Sequence, residues 1–333
     1  MNRKKVTIGD IARTAKVSKS TVSRVLNDTT PVEDQKRKAV LKAMKKLNFK
    51  PNVFARTLAG GNSMTLGIVT QNIGSPFYDS ITQGVIRGLA STDYSPIIAD
   101  GQWEPQLEIA AIETLIDRRV DGIIMVGGNL DAKTLDSYNQ QVPLVLIAHR
   151  LDGWQNRSIC IDNLAAAKSA TQYLIDQGHR QIAHVRGIAN HLDAMDRYRG
   201  YQLALADAGI ELDERLVVEG DFSSRSGILA LEAILLRGVP FSAVFCANDE
   251  MAFGVRLSLY RRGIRVPEDI SIVGFDDQPN SAYMTPPLTT IAQPAIQMGE
   301  EAAKLMLSFL KQKTYEPPAL PAELVIRESV ARR

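Results

Sequence analysis

TIGDIARTAKVSKSTVSRVL, residues 7–26, is the stretch whose reading decides the fold. Ile8, Ile11, Ala12 and Ala15 recur at i, i+3, i+4 and i+7, the apolar stripe of a short amphipathic helix. The pattern breaks at Lys16-Val17. Ser18 can then cap a second helix, in which Val22, Val25 and Leu26 share one side while Lys19, Ser20, Ser23 and Arg24 lie opposite. Two short helices across a tight turn form a helix-turn-helix that points hydrogen-bonding side chains outward, the shape of a major-groove reader. A helical hairpin with a merely solvated polar face has the same local pattern, so the surroundings must choose between them.

Charge is the first of those surroundings. Residues 1–60 hold ten Lys and five Arg against Asp10, Asp28, Glu33 and Asp34, a net +11, whereas the whole chain carries +2 and the remainder therefore −9. A basic head on an acidic body is the electrostatic footprint of a nucleic-acid-binding domain joined to something else. The basic residues here alternate with a helical apolar pattern, which favours a folded unit over a solvated tail.

A third helix fits residues 33–47, with Ala39, Val40, Ala43, Met44 and Leu47 inward and Lys36, Lys38, Lys42, Lys45 and Lys46 outward. Three helices of this size bury a modest core, and such a head is marginally stable alone. Pro51 then forbids continuation of the helix, Asn52 is a good N-cap, and Gly60-Gly61 ends the short helix-capable run NVFARTLAG. Fewer than three helical turns need a docking partner to fold in water.

The combination TIGDIARTAKVSKSTVSRVLN followed by KLNFKPNVFARTLAGG resembles the DNA-binding head and hinge of the lactose-repressor/galactose-repressor (LacI/GalR) family of bacterial transcription regulators. The resemblance implies that Lys19 and Ser20 choose the operator sequence, and that Thr7, Ser18, Thr21, Ser23, Arg24 and Asn27 contact phosphates or bases. It further implies a hinge helix whose Asn52, Ala55 and Leu58 contact DNA. Leu58 would be the wedge that opens a base step at the centre of a pseudo-palindrome; unstacking costs a few kcal/mol, offset by a bent duplex that touches more protein. A plain buried leucine is the alternative at that position. Two residues depart from the family pattern: Lys16 stands at a turn position often held by glycine, and Glu33 at a cap position often held by serine.

From Thr65 onward, apolar runs alternate with helical segments. TLGIVTQ (65–71), SPIIADG (95–101), VDGIIMVGG (120–128), PLVLIAH (143–149), QIAHVRG (181–187), SAVFCAND (242–249) and DISIVGFDD (269–277) read as buried strands. Helices at roughly 76–91, 105–118, 164–177, 195–208, 224–237 and 249–262 separate most of them, which predicts parallel doubly wound sheets, with strands enough for two. The turns after the strands carry Phe77-Tyr78, Asp100 to Trp103, His191 to Arg197, Asp221-Phe222, Asn248-Asp249 and Phe275-Asp276-Asp277. Carboxylates and amides accept sugar hydroxyls and aromatic rings stack on the apolar faces of pyranoses, so a cleft of this composition suits a polyhydroxylated ligand.

DGWQNRSICIDN (152–163), DAMDRYRGYQLAL (193–205) and SIVGFDDQPNSAYMTPPLTTIAQP (271–294) extend the resemblance to the effector domain of the same family, itself similar to type I periplasmic sugar-binding proteins. The implied architecture is α/β: a helix-turn-helix three-helix head at 1–49, a hinge helix and linker at 50–62, and a periplasmic-binding-protein-like body of two doubly wound parallel-sheet subdomains. Residues 63–161 with 293–326 would form one subdomain and 162–292 the other, with crossings near 162–163, 290–293 and 317–321. By position, Arg197, Phe222, Asn248, Asp276 and Gln293 would hold the effector, with Phe77, Tyr78 and His191 lining the same cleft. Taken singly, Asp276 could equally cap a turn, Arg197 could be a surface ion-pair residue, and His191 could belong to a solvated loop.

Several classes are disfavoured. There is no apolar signal core or membrane-length run, so a cytoplasmic protein is expected. Cys160 and Cys246 sit in apolar runs and read as small hydrophobes. His149, His179 and His184 lack metal-ligand spacing, and no cofactor is expected. No dinucleotide, Walker or nucleophile-elbow motif argues for an enzyme. The expectation is a sequence-specific transcriptional regulator acting as a repressor on a double-stranded DNA operator, working as a homodimer because no leucine-rich C-terminal extension argues for a tetramer. Its effector is expected to be a sugar or glycoside, since 143–163 and 193–205 resemble the galactose-type members. A purine or nucleoside effector, control by a partner protein, or a solute-binding receptor are the alternatives.

Overall fold

The computed structural model describes residues 6–27, 31–47, 49 and 62–333; the expected hinge helix, with Asn52, Ala55 and Leu58, lies outside the described residues. The head forms three helices, α1 (Ile8–Ala15), α2 (Lys19–Asn27) and α3 (Asp34–Lys46). Thr7 opens α1 with a capping box: its hydroxyl accepts the Asp10 amide while the Asp10 carboxylate accepts the Thr7 amide. Those contacts hold the Asp10 carboxyl down at about 2. Lys16 closes α1 in the left-handed region (φ 53°), a conformation glycine reaches without cost, and the chain turns there into α2. Ser18 accepts the Thr21 amide at 3.1 Å and so caps α2. Among the described residues, Ile11, Ala12, Val22, Val40 and Ala43 are buried together as the core of this unit, with Ile8, Val25, Leu26 and Met44 packed against them.

The body contains two sheets. The first, all parallel, runs β2-β1-β3-β4-β5, with β1 Thr65–Thr70, β2 Ser95–Asp100, β3 Gly122–Val126, β4 Leu144–Ile147 and β5 Ser158–Ile159. The second runs β11-β10-β9-β8-β6-β7, with β6 Ile182–Arg186, β7 Val217–Glu219, β8 Ala243–Cys246, β9 Ser271–Asp276, β10 Thr289–Ala292 and β11 Glu323–Val325. Among the described strands, only β11 is antiparallel. Apolar runs such as GIIMV and AVFC are buried along their full length because helices cover both faces of each sheet.

The chain passes between the two lobes at 160–162, at 293–294 and within 311–322. One boundary differs from the sequence-based assignment of 293–326 to the first subdomain. Helix Ala295–Leu310 does pack on the first lobe, but Glu323–Val325 pairs with β10, Thr290 opposite Val325, and closes the edge of the second sheet. Beyond Val325 the chain leaves the strand, and Ser329 donates to the Ile272 carbonyl at 2.6 Å and accepts the Thr289 amide at 2.8 Å. Helices Ala132–Asn139 and Ala295–Leu310 and the short strands β5, β7 and β10 were not assigned from sequence. Helix Ala295–Leu310 lies backbone to backbone on helix Pro76–Leu89: a Cβ at Gly84 would fall 2.0 Å from the Ile296 carbonyl oxygen. That contact fixes Pro76–Leu89, and with it the aromatic pair at its N-terminus.

Candidate functional site

In each sheet the strand order reverses once, between β1 and β3 and between β6 and β8, and open α/β sheets bind ligands at the carboxyl ends of strands beside such points. The loops leaving those strand ends face one another across a cavity of about 390 Å³. Phe77 and Tyr78 enter it from the first turn of helix Pro76–Leu89. Trp103 enters beside them in a positive-φ turn (φ 60°). Its amide donates to Gln71 Oε1 at 3.1 Å, and its carbonyl accepts from Asn129 Nδ2 at 2.8 Å. The Asn129 amide in turn donates to the buried Glu108 carboxylate at 2.9 Å, and desolvation raises the Glu108 carboxyl above its ordinary value. Three loops thus hold one indole in place.

From the second lobe come His191 and Phe222. The rings form a continuous edge-to-face series, Phe77–Tyr78, Tyr78–Trp103, Trp103–His191 and His191–Phe222, with centroids 5.2, 5.6, 5.0 and 5.5 Å apart. Phe222 adopts φ 66° and lies over Gly187, where a Cβ would meet its ring at 2.2 Å. Asn248 holds this loop: its Nδ2 donates to the Phe222 carbonyl at 2.9 Å while its Oδ1 caps helix Asp249–Arg261. The His191 imidazole is pushed down to about 4, first by desolvation and then by the Arg197 and His149 charges, and its Nδ1 is buried without a partner.

Arg197 sits on helix Leu192–Asp207, buried. Its Nε donates to Asn163 Oδ1 at 2.9 Å, its Nη1 donates to the Ala247 carbonyl at 2.5 Å, and its guanidinium lies 3.8 Å above the centre of the Phe275 ring. Asp276 stands 3.8 Å from Nη1 and accepts from Gln293 Nε2 at 2.7 Å. Burial pushes the Asp276 carboxyl up, against the pull of Arg197, Gln293 and Gln278. Asp193 is likewise pushed up to about 6 by desolvation, opposed by Arg197. Burial also raises the Tyr78 phenol. Beneath Asp276, the fully buried Asp249 accepts from the Gln278 amide, Ser281 Oγ and Thr290 Oγ1 at 2.9, 2.6 and 2.6 Å, which ties the turn after β9 to β10.

Of the expected effector residues, Phe77, Tyr78, His191, Arg197, Phe222, Asn248 and Asp276 line this one cavity. Gln293 does not: it lines an adjoining recess of about 310 Å³ and reaches the cleft only through its bond to Asp276. Trp103, Asp193 and Asp221, named among the strand-end turns but not among the effector-holding residues, also line the cavity, as do Asn72 and Glu250, which the sequence reading did not name. The signal for Trp103 and Asp221 was present, since each sits in a loop after a strand, and Asp193 is the second residue of the helix that follows the loop after β6. Glu250 carried none, being the second residue of a helix whose cap supplies Asn248. Cys246 is buried; Cys160 is half-buried and desolvation pushes its thiol up to about 12. His179 is structural, paired with Ser242 Oγ and the Ala331 carbonyl, and His184 is stacked inside the second lobe against Tyr201 and Phe245.

In the head, Ser18, Lys19, Ser20 and Arg24 are exposed, Thr21 and Ser23 half-buried. Ser18 Oγ lies 2.7 Å from Ser20 Oγ and 2.8 Å from Thr21 Oγ1, a hydroxyl cluster at the N-terminus of α2. Thr7 is exposed but committed to its capping box, with its hydroxyl 2.7 Å from Asp10 Oδ2. Asn27 ends α2; its side chain is outside what the structure describes. Glu33 makes no side-chain cap and pairs instead with Lys36 at 2.8 Å.

A helix-turn-helix head on a two-lobed body with a ligand-sized cleft defines a class, the DNA-binding regulators that carry their own small-molecule sensor. Residues 7–52 match the family described as bacterial regulatory proteins, lacI family, and residues 171–330 match the periplasmic binding protein-like domain. The HTH-type transcriptional regulator GalR of Escherichia coli K12 is 39% identical over 303 residues, covering 91% of this chain and 88% of its own. A lac repressor dimer bound to operator and an anti-inducer superposes with a TM-score of 0.86 at 29% identity, over 98% of this chain and all of the other. A complex of the transcriptional regulator CelR with cellobiose superposes with a TM-score of 0.73 at 33% identity, over 98% and 100%. The chain belongs to the LacI family of bacterial transcriptional repressors.

Proposed function

We propose that this protein is an operator-binding repressor whose effector is a sugar or glycoside bound between the two lobes. The observation that carries this reading is the make-up of the cleft: aromatic rings from both lobes meet beside the carboxylates of Asp193, Asp221 and Asp276 and the amide of Asn248. Rings stack on the apolar faces of a pyranose and carboxylates accept its hydroxyls. The likeness to a regulator in complex with cellobiose supports the same ligand class.

Control then amounts to differential affinity of the ligand for two lobe arrangements. Arg150, in the loop after β4, pairs with Asp196 on helix Leu192–Asp207 at 2.9 Å, so an ion pair bridges the lobes beside the cleft and changes with their separation. Lys19 and Ser20 read base edges in one half-site, and the hinge with Leu58 completes the contact in the minor groove. A homodimer supplies the second half-site. Supporting it, Leu229 and Leu236 on helix Ser224–Leu236, Leu257 and Tyr260 on the adjoining helix Asp249–Arg261, and Tyr283 are all exposed apolar side chains, and the similar lac repressor structure is of a dimer.

Thermal denaturation of the full chain against neutral sugars, phosphorylated sugars and purines tests the ligand class, because a ligand that binds the native state raises its stability by mass action. A carbohydrate hit that also changes affinity for operator DNA is the expected result; a purine hit alone overturns it.

A further inference from the structure

Charge is distributed unequally around the cleft. Among the described residues that line it, four are carboxylates, Asp193, Asp221, Glu250 and Asp276, and one is a cation, Arg197. The guanidinium donates from Nε to Asn163 and from Nη1 to the Ala247 carbonyl, and its charge is already balanced by Asp276, 3.8 Å from Nη1, with the Phe275 ring against its face. The nearby Arg150 is taken up by Asp196. All four carboxylates come from the second lobe, while the first lobe faces them with the rings of Phe77, Tyr78 and Trp103 and the amide of Asn72. Asp221 is held ionised by the Ser223 amide and hydroxyl, and Glu250 accepts from Ser224 Oγ.

Resting on the sugar reading above, the geometry points to an effector site that selects by charge, taking uncharged glycosides and rejecting phosphorylated sugars and sugar acids. A phosphate ester carries close to two negative charges at neutral pH. In this cleft it would lose its hydration among four carboxylates that outnumber the single guanidinium, a strongly unfavourable exchange. Hydroxyls do the reverse, since each ionised carboxylate is an acceptor only. The lobe asymmetry also orients the ligand, hydroxyl edge toward the second lobe and apolar face toward the rings of the first. A cavity of about 390 Å³ is within the size range of small-ligand sites.

The test is calorimetric titration of the full chain with matched pairs: cellobiose and other neutral disaccharides and glucose, each beside its 6-phosphate, with hypoxanthine and guanosine as a separate arm. The expected result is binding of at least one neutral sugar, with its phosphate ester weaker by about a hundredfold or more, equivalent to about 2.8 kcal/mol. Replacing Asp221→Asn and Glu250→Gln together should narrow that gap at least about tenfold, with retained operator binding reporting that the variant is folded. Phosphorylated sugars that bind as tightly as their neutral partners overturn charge selection and leave the sugar reading standing. A gap that the double variant leaves unchanged overturns the carboxylates as its cause. Binding in the purine arm alone, or none in either, overturns the sugar reading and charge selection with it.

Discussion

Trp103 and His191 meet edge to face across the cleft with ring centroids 5.0 Å apart, one carried by the first lobe and the other by the second. The contact joins two loops that share no sheet. A sugar seated against Trp103 would therefore be sensed by both lobes. Replacing Trp103→Ala should weaken sugar binding by about tenfold, the scale of an aromatic contact, while Trp103→Phe should recover most of the loss. Titration calorimetry on both variants measures this; equal affinity of wild type and Trp103→Ala would remove the indole from the ligand's surface.

Arg197 is anchored at three points, and lysine cannot reproduce its planar, forked geometry. Both Arg197→Ala and Arg197→Lys should abolish the effect of ligand on operator affinity while the unliganded protein still binds DNA. Removing the charge leaves Asp276 buried without its cation, costing on the order of 3 kcal/mol in urea denaturation. Persistence of the ligand response in Arg197→Lys would reduce the residue to a generic positive charge.

His191 is pushed down to about 4 from an ordinary 6.5. Above pH 6.5 neither folded nor unfolded chain protonates it, and it contributes no pH dependence. Between 6.5 and about 4 the unfolded chain takes up the proton first, so stability falls as pH falls, by at most about 1.4 kcal/mol per unit. The groups that oppose its charge are Arg197 and His149. Denaturation of wild type and His191→Gln at pH 7 and pH 5 should show the variant losing less stability on acidification; parallel losses would contradict the assignment.

With a net +11 in the first 60 residues, operator affinity should fall steeply with salt, linearly in a plot of log K against log salt concentration. Lys19→Ala should relax base preference by about 1–3 kcal/mol at one position in each half-site. Lys42→Ala should leave sequence preference unaltered. A flat salt plot in fluorescence anisotropy would exclude phosphate-dominated binding.

Lys16 occupies the left-handed region at the end of α1 at a cost that glycine avoids. Lys16→Gly should raise the thermal stability of the head by about 1 kcal/mol or less, read from the exchange protection of amides in α1 and α2. No gain would mean that the lysine side chain compensates its own backbone cost.

Much of the molecule was legible because local patterns and long-range packing agree. The stripe Ile8, Ile11, Ala12, Ala15 became α1 because its buried members, Ile11 and Ala12, meet Val22, Val40 and Ala43. Runs such as GIIMV became strands because continuous apolar sequence survives only where both faces are covered. Strand β7 and strand β10 escaped notice because three or four residues carry no resolvable period. Helix Ala295–Leu310 carries a clear amphipathic stripe, so its signal lay in the sequence although no helix was assigned there.

By its sequence alone this protein determined its basic head, its alternation of strands and helices, and the residue types at its strand ends, because periodicity, capping and charge are local properties. Only the tertiary structure decided which of those ends meet. Trp103 was one aromatic loop residue among several until Gln71 and Asn129 held its backbone in the turn from which the indole meets His191. Gln293 was set behind Asp276, outside the main cleft, by the crossing at 293–294. Glu323–Val325 joined the second sheet because β10 had an open edge to pair. The imbalance of four carboxylates over one guanidinium exists only where four distant segments converge, since Coulomb interactions depend on separation in space and not along the chain.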